Sequence, residues 1–379
     1  MPEGACQFTE EELRNWNLLG VFRKILLAGL KKHPRGASEK DPRRKLAADP
    51  YFSLHLFRLF NPILNSMRSL CAASRFEKMR EFCPTPIAPA SFSEGQHLFS
   101  PSILEEIARA LAREAMGKVQ FGDARVREAV KVLTAVDGTV MRAVPRMSWA
   151  PAAGHGSAIR LHLHFSVFDQ RPVDWTMTPA NVCERKVWKQ KIKPGEFFVV
   201  DRLYSEDHLL LKQIQKGRAD FVVRLLGNVI RTPLEAARPL TEEDRKAGVI
   251  SDQLTELGGQ GGGPHLRIIE VQAEGKVLLL ATTRTDLPAH LIALIYRYRW
   301  QIELFFKWFK TMLPCKHWIA ESPEGVAIQI YSVMIASLLL MLWTGRRPTK
   351  RQMEALRLYW MGFISERELS ETLGLQKNQ

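Results

Sequence analysis

The chain has 379 residues, 46% hydrophobic and 25% charged, a balance that excludes an intrinsically disordered protein and leaves room for two or more domains. Lysine and arginine outnumber aspartate and glutamate 54 to 40, giving a formal charge of +14. An excess of that size favours a polyanionic partner, most simply nucleic acid, through counterion release. The five cysteines (Cys6, Cys71, Cys83, Cys183 and Cys315) are dispersed without a CxxC pair, which argues against a zinc site or a disulfide framework and fits a reduced cytosolic compartment.

In chain order, MPEGACQFTEEELRNW lacks the basic-then-apolar pattern of a signal peptide. Thr9 and Glu12 read as a capping box opening an amphipathic helix through LRNWNLLGVFRKILLAGLKKH. Apolar residues recur at helical intervals between Tyr51 and Ser74. The stretch CPTPIAPASFSEG (83–95), with three prolines, predicts an extended linker. Ser102 with Glu105 predicts the capped start of another helix, SILEEIARALAREAMG.

From about residue 130 the pattern turns to strands. VLTAVDGTVMRAV predicts an apolar strand ending at Asp137, and PGEFFVVDRLYS predicts a second, Phe197 to Val200, running into Asp201. Between them AIRLHLHFSVF alternates strictly and predicts a half-buried strand whose polar face carries Arg160, His162 and His164. No further ligand is in register with the two histidines, so a solvated strand face is favoured over a metal pair. Further strands follow in ADFVVRLLG, HLRIIEVQA and KVLLLATTR, the last two joined by a hairpin at Glu274–Gly275. GGQGGG lacks the following Lys-Ser/Thr of a phosphate-binding loop, which argues against a nucleotide site.

The segment YRYRWQIELFFKWFK, Tyr296 to Lys310, predicts a single, largely buried helix starting after Asp286 and Pro288 and stopped by Pro314. At about 3.6 residues per turn, Tyr296, Arg299, Glu303 and Lys310 fall on one side, with Lys307 close by. The plain reading is a helix supported by Arg299–Glu303 and Glu303–Lys307 pairs at i,i+4. A buried carboxylate among cations, however, calls for pairing or an ion. Two apolar strands ending in aspartate, followed by a helix bearing glutamate, make a donor set for two divalent cations roughly 4 Å apart. The all-oxygen set indicates Mg2+ or Mn2+. Val326 to Trp343 approaches membrane-span length, but Gln329, Tyr331, Ser332 and Ser337 dilute it and predict a core helix. The tail carries two short helical patterns around Gly362, read as a helical pair closing the core rather than a DNA-reading helix-turn-helix.

Tyr296-x2-Arg299-x3-Glu303-x6-Lys310, with Asp137 in DGT and Asp201 in DRLY upstream, resembles the signature of the DDE transposases of bacterial insertion sequences, in the insertion-sequence-four family. The likeness covers roughly residues 90 to 345. It implies an α/β fold with an RNase H-like catalytic core at about 126–345 and a β-rich insertion at about 206–285. A helical, basic, DNA-binding domain at about 1–125 precedes the core and a helical segment at about 346–379 follows it. Asp137, Asp201 and Glu303 would be the catalytic residues and ligands of the two cations. Tyr296, Arg299 and Lys310, with Lys307 beside them, would contact DNA. The expected activity is cut-and-paste movement by strand cleavage and strand transfer at terminal inverted repeats. The expected partners are double-stranded DNA, as transposon ends and target, and a second copy in a homodimer, in the bacterial cytoplasm at the nucleoid. The alternatives are a metal-dependent nuclease without strand transfer and a non-catalytic DNA-binding protein of the same fold.

Overall fold

The computed structural model describes residues 17–374 apart from 34–35, 42–43, 62, 81–82, 145, 153–155, 259–261 and 314–317. The expected capping box at Thr9 and Glu12, the stop at Pro314 and the centre of GGQGGG lie outside the described residues. The chain divides into two compact units. One comprises Gln120–Val140 and Arg160–Phe305; the other comprises Met1–Val119, Met141–Ile159 and Phe306–Gln379.

The first unit is built on a sheet of nine strands among the described residues: β1 (Thr134–Arg142), β2 (Ala158–Ser166), β3 (Arg171–Pro179), β4 (Phe197–Val200), β5 (Asp220–Arg224), β6 (Arg231–Pro233), β7 (Val249–Leu257), β8 (His265–Ala273) and β9 (Lys276–Thr282). Their spatial order is β3-β2-β1-β4-β5-β9-β8-β7-β6. β1, β4 and β5 run parallel, whereas β5, β9, β8, β7 and β6 pair antiparallel in turn. Parallel strands are covered on both faces, which is why FFVV of β4 and the FVV at the centre of β5 read as unbroken apolar runs. On one face Val136, Phe198, Val200, Phe221 and Val223 pack with Trp188, Tyr204, Leu210, Leu211 and Ile214. The helix Ala289–Tyr298 also packs against β4 and β5.

Three local expectations are corrected here. β1 does not end at Asp137. Its alternation continues, with Thr139 and Met141 buried and Val140 and Arg142 exposed, so the strand runs on to Arg142. β2 is not half-buried, because its polar face is covered as well. His162 Nε2 lies 2.8 Å from the Thr178 hydroxyl of β3 and His164 packs edge-on against Phe198, and burial pulls both imidazoles down to about 4. The single helix expected through Tyr296–Lys310 is two, Ala289–Tyr298 and Trp300–Met312. At Arg299 the backbone N–H bonds Tyr296 O (3.1 Å), three residues back rather than four, which tightens the turn while φ and ψ stay helical.

The β8–β9 hairpin forms as expected. Ala273 pairs with Lys276, and Glu274 (φ 48°) and Gly275 (φ 74°) take the left-handed conformations of a two-residue turn.

The second unit is helical. Pro323–Thr344, 22 residues, is long and apolar enough to cross a membrane, yet 94% of its apolar window is buried. It packs on the helices Ser102–Glu114, Ala48–Phe60 and Pro89–Leu98, and Tyr331 donates its hydroxyl to Glu105 (3.0 Å). Glu105 therefore does not complete a capping box with Ser102. Its other oxygen takes Arg109 (2.8 Å), and Pro101 occupies the cap position. The second half of the stretch 83–95 expected as linker is helical, in the helix Pro89–Leu98, because Pro89 sits at the first helical position, where a missing N–H costs nothing. In the tail, the helices Lys350–Trp360 and Glu366–Leu373 each start with a capping box. The first packs on the helix Ala48–Phe60, with Arg357 donating to Leu59 O (3.2 Å) and Trp360 edge-on to Phe60.

Candidate active site

The site is set by strand register. Val136 of β1 pairs with Val200 of the parallel neighbour β4, so Asp137 and Asp201 are the next residues along two adjacent strands. Asp201 keeps extended backbone (φ −80°, ψ 170°) before the chain turns into the 3-10 helix Arg202–Glu206. Strands lie about 4.8 Å apart, so two carboxylates in register project side by side from one face. Asp137 Oδ1 accepts the N–H of Gly138 (2.7 Å). Burial pushes its carboxyl up to about 7; Glu184 and Asp201 add like-charge repulsion, and Arg299 opposes the rise.

Arg299 is a cation that acts electrostatically on both aspartates. Burial lowers the affinity of its guanidinium for a proton, but Tyr296, Asp201 and Glu303 outweigh burial and hold it firmly charged. Nη1 donates to Glu303 Oε1 at 2.7 Å, and the guanidinium carbon lies 5.9 Å from the centre of the Tyr296 ring. Its Nε has no hydrogen-bond partner among the described residues. The Tyr296 hydroxyl is held above its ordinary range, first by burial.

The structure therefore brings Asp137, Asp201, Arg299 and Tyr296 together and holds Glu303 on Arg299. Among the described residues, no three histidine, cysteine, aspartate or glutamate side chains form a ready-made ligand group. Lys307 and Lys310 are exposed farther along the helix Trp300–Met312. The buried, neutral His162 and His164 take no part.

The residues fit a hard divalent cation. Their donors are carboxylate oxygens, the preferred ligands of Mg2+ and Mn2+. Asp137, disfavoured as an anion by burial and by its acidic neighbours, gains from a bound cation.

Two features escaped the sequence. Glu184, at the start of the helix Glu184–Lys189, lies against Gly138 and accepts hydrogen bonds from Arg160 Nη1 (2.8 Å) and the Tyr204 hydroxyl (2.9 Å). Arg224, at the end of β5, acts electrostatically on Tyr296 and adds a cation to the same neighbourhood. Tyr204 stands three residues after Asp201 in DRLY, but nothing local in the sequence points from it to Glu184.

Fold and site together define a mixed α/β protein with paired strand-borne carboxylates beside a helix of acid and cations. A family model described as the transposase DDE domain matches residues 128–339, more than half of the chain, and the chain belongs to that family, the DDE transposases of insertion sequences. All three acids and the Tyr-Arg-Glu-Lys signature fall inside the matched range. The chain is 27% identical over 219 residues to a Sinorhizobium fredii protein named as transposase y4zB, covering 56% of this chain and 61% of that one. It is 26% identical over 214 residues to a Geobacillus stearothermophilus protein named as the transposase of insertion sequence element IS5377, covering 55% and 56%. A 76-residue stretch is 37% identical to a Synechocystis protein named as the transposase of element IS4SA, covering 20% of this chain and 22% of that one. The chain thus spans about three fifths of the length of the first two relatives.

Proposed function

We propose that the protein is an insertion-sequence transposase that cleaves and rejoins DNA at the element's terminal inverted repeats, moving it by cut and paste from an RNase H-like core. The observation that carries this reading is the parallel, in-register pairing of Val136 with Val200, which sets Asp137, where the β1–β4 ladder stops, beside Asp201, just past the end of β4. Ligands bind at such strand ends in α/β sheets, and paired carboxylates there are what phosphodiester chemistry with divalent cations requires.

Asp137, Asp201 and Glu303 would hold two cations, Mg2+ or Mn2+. When bound, these supply activation of water or a 3′-hydroxyl and stabilisation of the departing oxygen. The chain's own part is to hold and orient. Arg299 offers a planar fork to phosphate oxygens, Tyr296 offers a hydroxyl, and Lys307 and Lys310 extend cationic charge along the helix. Arg299 gives Glu303 one hydrogen bond from Nη1, and its Nε has no partner among the described residues, so the guanidinium keeps donors for a phosphate. The +14 charge supports double-stranded DNA, as transposon ends and target, as the partner. Residues 1–125 would contribute as a basic DNA-binding domain, with 346–379 as a helical C-terminal segment. Two ends cut together call for a dimer on DNA, at the bacterial nucleoid in the cytoplasm.

The test is cleavage of a supercoiled plasmid carrying the element's own ends, with Mg2+ or Mn2+, by the native chain, Asp137→Ala and Glu303→Gln. Nicking and joined donor–target products from the native chain alone, abolished by chelator, are expected. Cleavage retained by Asp137→Ala would overturn the acid-site reading; nicking without joined products would reassign the protein as a nuclease.

A further inference from the structure

Glu184 is 8% exposed, and a carboxylate so deeply buried needs its charge and oxygens satisfied. Arg160 of β2 and Tyr204, just past β4, each give it one hydrogen bond. Its third neighbour is backbone. A Cβ placed on Gly138 would lie 2.7 Å from Glu184 Cδ and 2.8 and 3.0 Å from its two oxygens, closer than packed atoms come. The carboxylate lies flat against β1 there, and only glycine leaves it room.

Side chains alternate across a strand. The Cβ direction at Gly138 faces Glu184, so Asp137 projects from the opposite face. The single peptide between them serves both contacts, since the Gly138 N–H donates to Asp137 Oδ1 at 2.7 Å. Movement of Gly138 turns Asp137. The two carboxylates also repel one another through the strand.

We propose that Glu184 is a positioning residue for the acid site: it braces the Asp137–Gly138 peptide from the far face of the sheet, and its charge strengthens divalent-cation binding at Asp137 and Asp201. The inference rests on the acid-site reading above. It assigns Glu184 no contact with cation or DNA. Supporting residues of this kind typically alter metal affinity by about 10- to 100-fold when replaced.

The experiment is calorimetric titration of the full chain, stripped of metal and free of DNA, with MnCl2. Glu184→Gln keeps the shape and one acceptor but removes the charge. It is expected to bind Mn2+ about tenfold more weakly, at an unchanged metal-free melting temperature. Its strand nicking is expected to recover as Mn2+ is raised, with unchanged DNA affinity. Native Mn2+ affinity in Glu184→Gln would overturn the proposal. If Glu184→Gln also melts early, Tyr204→Phe decides, because it removes a hydrogen bond and leaves the charge. Native affinity in Tyr204→Phe supports the proposal; loss matching that of Glu184→Gln reduces Glu184 to a support of the fold and overturns it. Asp137→Asn is the control, expected to abolish binding. Binding that survives in Asp137→Asn, or is missing from the native chain, would count against the acid-site reading instead.

Discussion

Arg299 and Glu303 hold each other at 2.7 Å across one helical turn, with the guanidinium 15% and the carboxylate 29% exposed. An i,i+4 pair of this kind adds only about 0.3–0.5 kcal/mol to a helix. Its interest lies in where it sits, beside Asp137 and Asp201, rather than in its contribution to stability. The same two residues are the centre of the Tyr-Arg-Glu-Lys spacing on which the resemblance in the sequence rests.

Arg299→Ala is expected to weaken binding to a duplex carrying the element's end and to lower the slope of log affinity against log salt by about one phosphate contact. Fluorescence anisotropy across a salt series measures this. A slope identical to that of the native chain would rule out a phosphate contact by Arg299.

Asp137 ties stability to pH. Its carboxyl is raised from 3.8 to about 7 in the folded chain, chiefly by burial. A raised acid folds best protonated. The stability it confers is complete below about pH 4 and is lost as pH climbs through about 7. In metal-free protein, Asp137→Asn is therefore expected to be more stable than native at pH 8, by on the order of 2 kcal/mol, and no more stable at pH 4. Urea denaturation at the two pH values checks it. An advantage equal at both would show that ionisation of Asp137 is not its source. Cation binding should also fall off below about pH 7, since a cation must displace the proton.

Asp252→Ala is expected to destabilise the chain by about 3–5 kcal/mol, because it strands a buried charge. Arg267 Nε and Nη2 grip the two oxygens of Asp252 at 2.8 and 2.6 Å, with the side chains 4% and 5% exposed. The remaining nitrogen of Arg267 donates to Arg284 O (3.2 Å) and to Leu287 O. This pair thus ties β7 and β8 to the loop that leads into the helix Ala289–Tyr298. Chemical denaturation gives the loss, and a value within 1 kcal/mol of native would show the pair to be dispensable.

How much of this was legible beforehand follows from what local pattern encodes. FFVV followed by Asp201 was readable because a strand buried on both faces has no polar positions to interrupt it. The turn at Glu274–Gly275 was readable because few residues accept its left-handed backbone. β2 was misjudged because alternation tells which residues share a face, not whether that face meets water. Its histidines are polar and buried nonetheless. Pro89 reads equally well as a break in a linker or as the first residue of a helix. The tightened turn is confined to Arg299, so the spacing of Tyr296, Glu303 and Lys310 carries no sign of it. Glu184 was invisible because its link to Gly138 spans β2, β3 and the start of a helix.

The short strand β4 has a consequence for how the protein comes into being. Only four residues long, it pairs with β1 along one edge and with β5 along the other. Parallel neighbours distant in sequence are joined late, after the entropy of the intervening loops has been surrendered. Asp137 and Asp201 therefore become neighbours only when the middle of the sheet closes. A chain caught part-way through folding or synthesis holds Asp137 and Asp201 apart, so the paired acids take shape only as the protein completes its own sheet.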